Sequence, residues 1–97
     1  MKYLFVYYGS GTALTPDQLA ANRQAWQAWN QSLHETYGLK TARGGKVVTA
    51  SGVGDYDGPL KGVSIVEAAS LEEAVEKAKH SPSVGFGGRV EVFAEFD

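Results

Sequence analysis

The chain has 97 residues, 43% of them apolar and 21% charged, with a formal net charge of −2. This is enough for one small globular domain that buries roughly 60–68% of its unfolded surface, and too apolar for a disordered tail. The charge excludes a nucleic-acid face built on bulk positive charge, and the lack of cysteine excludes disulfides, thiol nucleophiles, zinc ribbons and iron–sulfur clusters.

Met1 to Tyr8 reads as a strand, because Tyr3 through Tyr8 is an unbroken aromatic and aliphatic run. Side chains alternate along a strand, so Tyr3, Phe5 and Tyr7 share one face and Leu4, Val6 and Tyr8 the other. The run is too short to span a bilayer. A single lysine with no small-residue cleavage site makes no signal peptide. A cytoplasmic protein without membrane contact is the expectation. Gly9-Ser10-Gly11 then ends the strand as a turn, since Leu14 stands where a dinucleotide fingerprint needs its third glycine.

Thr15-Pro16-Asp17-Gln18 opens a helix: Thr15 caps, Pro16 suits the first helical position, and Gln18 closes a capping box. The helix is expected to run to about Tyr37, with Gly38 as its stop. Leu19, Trp26, Trp29, Leu33 and Tyr37 fall on one stripe, with His34 beside it. Gly44-Gly45 is a turn, preceded by Arg43. Lys46 to Ser51 reads as the second strand, and glycine-rich Gly52 to Pro59 as a loop.

Val63 to Ala68 reads as the third strand. Ser70 and Glu73 form a capping box for a second helix with Leu71, Ala74, Val75 and Ala78 as its stripe, ending before Pro82. Ser81 to Gly88 reads as a loop and Arg89 to Phe96 as the fourth strand. Val90, Val92, Ala94 and Phe96 oppose Glu91, Phe93 and Glu95 across it. The order βαββαβ is an α+β, ferredoxin-like unit: an antiparallel four-stranded sheet with two helices on one face, as a single domain over residues 1–97. RNA-recognition modules share this order, but Val63 and Ile65 stand where stacking aromatics belong.

Two helices cover one face of a sheet, yet the first strand is apolar on both, and Phe93 lies on the side away from the helices. A homodimer paired through sheet faces is the economical solution, with Phe93 at its interface. The two histidines, His34 and His80, are too few for a metal centre, and neither metal nor organic cofactor is expected. His80, at the end of the second helix, and Asp57, in the central loop, are the candidates for proton transfer. Tyr7, Trp26 and Trp29 are the candidates to line a pocket between the long helix and the sheet, with Arg43 available to an anionic ligand.

Lys2-Tyr3-Leu4-Phe5-Val6-Tyr7-Tyr8-Gly9, Trp26-Gln27-Ala28-Trp29 with Leu33, Asp57-Gly58-Pro59-Leu60, Gly62 to Ala68, Ser70 to Ala74, His80-Ser81-Pro82 and Gly87 to Val92 follow one another in an order that resembles the YCII-related, or DGPF-type, proteins. Leu60 replaces the phenylalanine of the D-G-P-F signature. The resemblance implies a ferredoxin-like fold that pairs into a dimeric α/β barrel. One branch of the family has a first-helix histidine paired with an aspartate, proposed as catalytic. By local register from Arg23, Trp26 holds that histidine's place here, which counts against that mechanism. Some members occur near extracytoplasmic-function sigma factors, a regulatory association.

Two functions follow as expectations. The first is a non-catalytic dimeric module that binds a small molecule or a partner, with a regulatory role open to it. The alternative is a cofactor-independent enzyme that acts on a small aromatic or anionic metabolite by general acid–base chemistry.

Overall fold

The structure, a computed structural model, describes residues 1–33 and 40–94. His34, Tyr37, Gly38, and Glu95 and Phe96 of the last strand lie outside the described residues; the first helix itself ends earlier than expected, at Ser32, because Leu33 leaves helical geometry at φ −94° and ψ 44°.

The elements are β1 (Lys2–Tyr8), α1 (Pro16–Ser32), β2 (Lys40–Thr41), β3 (Lys46–Thr49), β4 (Gly52–Asp55), β5 (Leu60–Glu67), α2 (Leu71–Ala78), α3 (Pro82–Gly85) and β6 (Arg89–Ala94). Four strands form one antiparallel sheet in the order β2-β5-β1-β6. That is the ferredoxin-like order, with the first strand at the centre. Tyr3, Phe5 and Tyr7 are buried on its helix-covered face, where they meet Val66, Ala68, Ala74, Ala78 and Leu33. Val90 and Val92 of β6 pack against the same cluster. Val90 and Val92 of the last strand turn to the helices as expected, leaving Phe93 on the far side.

The sheet edge differs from the expectation. Lys46–Thr49 is a strand, but it pairs with Gly52–Asp55 in a separate two-stranded hairpin. The sheet's second strand is instead Lys40–Thr41. Val47 and Val48 carry the β-branched signal that the pattern detects, and the hairpin satisfies their backbone locally. The edge strand is two polar residues, with no hydrophobic pattern to find. It can dock because its partner is glycine: a Cβ on Gly62 would lie 2.3 Å from the Lys40 carbonyl oxygen. The expected loop at 52–59 therefore contains β4, β5 begins at Leu60 rather than Val63, and the expected loop at 81–88 contains the one-turn α3 started by Pro82.

Both long helices begin as their capping residues dictate. The Thr15 hydroxyl accepts from the Gln18 amide at 3.2 Å and the Gln18 side chain returns to the Thr15 amide at 2.9 Å. At α2 the Ser70 hydroxyl accepts from the Glu73 amide at 3.1 Å. Ser70→Ala should cost about 1 kcal/mol and Ser70→Gly only a few tenths. Equal, negligible shifts of the denaturant midpoint would contradict this cap.

No residue of α1 is buried. Its second half leans on the sheet through half-buried Trp26 and Trp29, which pack against the core. Its first half offers one large apolar side chain, Leu19, and that is 50% exposed. With nothing bulky to fill it, the space between this half-helix and the sheet stays open.

Candidate functional site

Behind the open space lies a buried polar junction. The Tyr7 and Ser64 hydroxyls hydrogen-bond to each other in the core. The Trp29 indole Nε1 donates to the Tyr7 hydroxyl at 3.0 Å. Ser64 is the residue β5 places across from Phe5, so a small polar side chain stands under the tyrosine ring. Burial raises the Tyr7 pKa, against the opposing effect of its hydrogen bonds to Ser64 and Trp29. The Tyr7 ring also meets the Trp26 ring edge-on, with centroids 5.1 Å apart. Tyr7 and Trp29 thus form a rigid backing for Trp26.

Trp26 is the wall of a cleft of about 620 Å³. The β1–α1 connection from Gly9 to Leu14 forms one rim, and Leu19 and Asn22 of α1 continue it. Asp57, Gly58, Pro59 and Lys61 form the opposite rim, and Pro82, Ser83 and Phe86 close one end. Asp57-Gly58-Pro59 is held in place from both sides: the Gly9 amide donates to the Pro59 carbonyl at 2.7 Å, and the Tyr56 hydroxyl accepts from the Leu60 amide at 3.3 Å. A carboxylate, an ammonium and aromatic surface therefore face one recess. This is the usual composition of a small-molecule site, apolar walls with a few placed polar groups.

Ser83 adds a further feature. It is 3% exposed, and its hydroxyl has no hydrogen-bond partner among the described residues. Buried hydroxyls are normally paired; Ser83 belongs to the cleft wall, and its hydroxyl, like that of Ser81, is closed off from solvent without a partner among the described residues. Ser83→Ala breaks no protein hydrogen bond, and it should leave stability unchanged or raise it by up to about 1 kcal/mol. A clear loss in chemical denaturation would contradict the unpaired state.

The structure brings Trp26 and Asp57 to one cleft, with Tyr7 and Trp29 behind it. His80 is exposed and is not among the residues lining this cleft. Arg43 is likewise exposed and outside the cleft. Lys61, Ser83 and Phe86 escape sequence reasoning, because a lone lysine, serine or phenylalanine carries no motif. The only available signal is position: Lys61 follows the Asp57-Gly58-Pro59 turn by two residues, and Ser83 follows Pro82. Among the described residues no three metal-ligating side chains converge, and no helix is long and apolar enough to cross a membrane.

On the far face of the sheet, Leu4 lies between Ile65 and Phe93, and Val6 between Val63 and Glu91. Phe93 is 45% exposed. At the border Arg89 lies over the Tyr8 ring at 4.1 Å and pairs with Glu91 at 3.6 Å. The Glu91 carboxylate beside the Tyr8 hydroxyl raises its pKa. Glu91 is thus paired, as its neighbourhood of apolar side chains requires. Lys46 pairs with Asp55 in the hairpin.

The model of the YCII-related domain matches residues 1–95. Comparison with curated proteins finds no match. Among solved structures, the 5-chloro-2-hydroxyhydroquinone dehydrochlorinase of Burkholderia phenoliruptrix, in complex with 2,5-dihydroxybenzoquinone, is similar over 99% of this chain and 94% of that chain, at 22% identity and a TM-score of 0.54. That likeness is one of fold.

Proposed function

From the premise that this chain belongs to the YCII-related domain family, we propose that it is a dimeric module that binds a small aromatic molecule bearing hydroxyl groups. The binding site is the cleft walled by Trp26. The observation that carries this reading is the meeting of an aromatic wall, an unpaired buried hydroxyl on Ser83 and the Asp57 carboxylate in one recess. The ring of the ligand stacks or packs edge-on to Trp26, and its hydroxyl groups meet Asp57 and, once that side chain rotates toward the cleft, Ser83. The bound quinone of the dehydrochlorinase neighbour suggests the first probe, 2,5-dihydroxybenzoquinone, with hydroquinone beside it.

Calorimetric titration tests the assignment. Both Trp26→Ala and Ser83→Ala should weaken binding by about tenfold, a loss of ~1.4 kcal/mol each. Absence of binding, or affinity indifferent to both substitutions, would overturn it. A second reading is favoured by the Asp57 carboxylate: a general base that takes a phenolic or carbon-bound proton from the same ligand. Turnover of a bound probe that Asp57→Asn abolishes, with affinity retained, would select the enzyme over the binding module.

The dimer in this proposal pairs two sheets by their far faces. Three observations support it. The helices all lie on one side, the body is 18 Å thick along its shortest axis, and the uncovered face carries Leu4, Val6, Val63, Ile65 and Phe93. Two charge pairs close within the chain at its borders, Met1 nitrogen with Glu67 and Arg89 with Glu91. Such a face suits a second copy of itself better than a strongly charged partner.

A further inference from the structure

The cleft does not stop at Trp26. On the other side of that ring a second cavity of about 510 Å³ runs between α1 and the β2 edge of the sheet. Leu19, Asn22, Trp26 and Lys61 line both spaces, so they form one trough divided by the indole and the lysine. The charges of the two halves differ. Asp57 faces the first half together with Lys61. The second half is lined by Arg23 and Lys61, and no carboxylate is among its described lining residues. Neither cation takes part in an ion pair with any described residue.

Lys61 is held where both halves meet. Its side chain lies against Gly9: a Cβ there would come 2.6 Å from the lysine Cε and 3.6 Å from Nζ. Glycine at position 9 thus provides the channel in which the ammonium group lies. Arg23 is one helical turn from Gln27 and three residues from Trp26, so its guanidinium belongs to the same α1 face as the indole. Two cations without an ion pair among the described residues, flanking an aromatic ring in a space with no carboxylate among its described lining residues, are the chemistry of an oxyanion site. The overall net charge of −2 does not oppose this, because the field at short range is set by the nearest groups.

We propose that the second half of the trough is an oxyanion subsite: Arg23 and Lys61 take the carboxylate or phosphate group of an aromatic ligand whose ring lies against Trp26. This rests on the reading of the cleft as a small-molecule site, and it adds the charge of the ligand and the two residues that read it.

The test is a set of titrations followed by chemical-shift changes, with benzoate, phenyl phosphate and neutral benzamide as probes. At least one anion should bind the wild-type chain at least about tenfold more tightly than benzamide. The stronger of the two anions identifies the group. Arg23→Gln and Lys61→Gln should each remove most of that preference, weakening the anions several-fold more than benzamide, and Arg23→Lys should restore part of it. Gly9→Ala, which displaces the lysine, should weaken the anions more than benzamide. Added salt should weaken the anion and not benzamide.

Equal affinity for all three probes would overturn the anion subsite and leave the aromatic cleft standing. An anion preference insensitive to both charge-removing substitutions would also overturn it. Anion binding that shifts Arg23 and Lys61 resonances but not the Trp26 indole would uphold the charge assignment and remove the aromatic one.

Discussion

Phe93→Asp should turn a dimer into a monomer, with the chain still folded. Phe93 is 45% exposed in the single chain, so its loss takes little from the core around Tyr3, Phe5 and Tyr7. Its cross-strand neighbour is Leu4, and between two paired sheets that contact is closed to water. Burying an aromatic side chain there contributes roughly 1.5–3 kcal/mol per subunit. An aspartate at the same place loses that term and adds a carboxylate that the interface must desolvate, beside the existing carboxylate of Glu91. A penalty of about 4 kcal/mol raises the dissociation constant about a thousandfold. Sedimentation at micromolar concentration should show dimer for the wild type and for Phe93→Leu, and monomer for Phe93→Asp. A well-folded wild-type monomer would contradict the pairing.

Tyr7→Phe should have the largest effect on stability. The substitution removes one oxygen and strands two partners, the Ser64 hydroxyl and the Trp29 indole. Leaving buried donors and acceptors unpaired costs about 1–3 kcal/mol for each; half-exposed Trp29 can partly turn to water, so a total of about 2 kcal/mol is expected. The same residue sets a pH dependence. Burial lifts the Tyr7 pKa above the ordinary tyrosine value of 10.0. As pH rises, the unfolded chain therefore loses this proton before the folded one does. Tyr7 contributes its full stabilisation below about pH 10 and gives it up as pH climbs toward the folded value. Between about pH 9 and about pH 11 the wild type should lose stability more steeply than Tyr7→Phe, the other tyrosines being common to both. Parallel curves would contradict the buried, protonated state of this hydroxyl.

What could be read from the amino acids alone follows from how local each signal is. The two caps needed only residues three apart, and Thr15 and Ser70 start their helices where they should. Strand β1 declared both of its faces, because its period-two pattern is contained in seven residues. The edge strand was different. Lys40–Thr41 has no pattern, and its place depends on Gly62 more than twenty residues away. The Lys46–Thr49 strand was recognised by its valines, but the choice between the sheet and the hairpin is a non-local pairing that local propensity does not encode. The site divides in the same way. Trp26 and Asp57 stand out by type and motif. Lys61, Ser83 and Phe86 gain meaning only when β5, the turn before β6 and α1 are brought around one recess.

Backbone amide and indole chemical-shift mapping with 2,5-dihydroxybenzoquinone tests that recess most directly as the binding site. One contiguous set of shifts is expected, covering the Trp26 indole, the Gly9–Leu14 connection, Asp57 to Lys61 and Ser83 to Phe86. Shifts confined to the far face around Leu4 and Phe93, or saturating addition of probe with no change at the Trp26 indole, would contradict it.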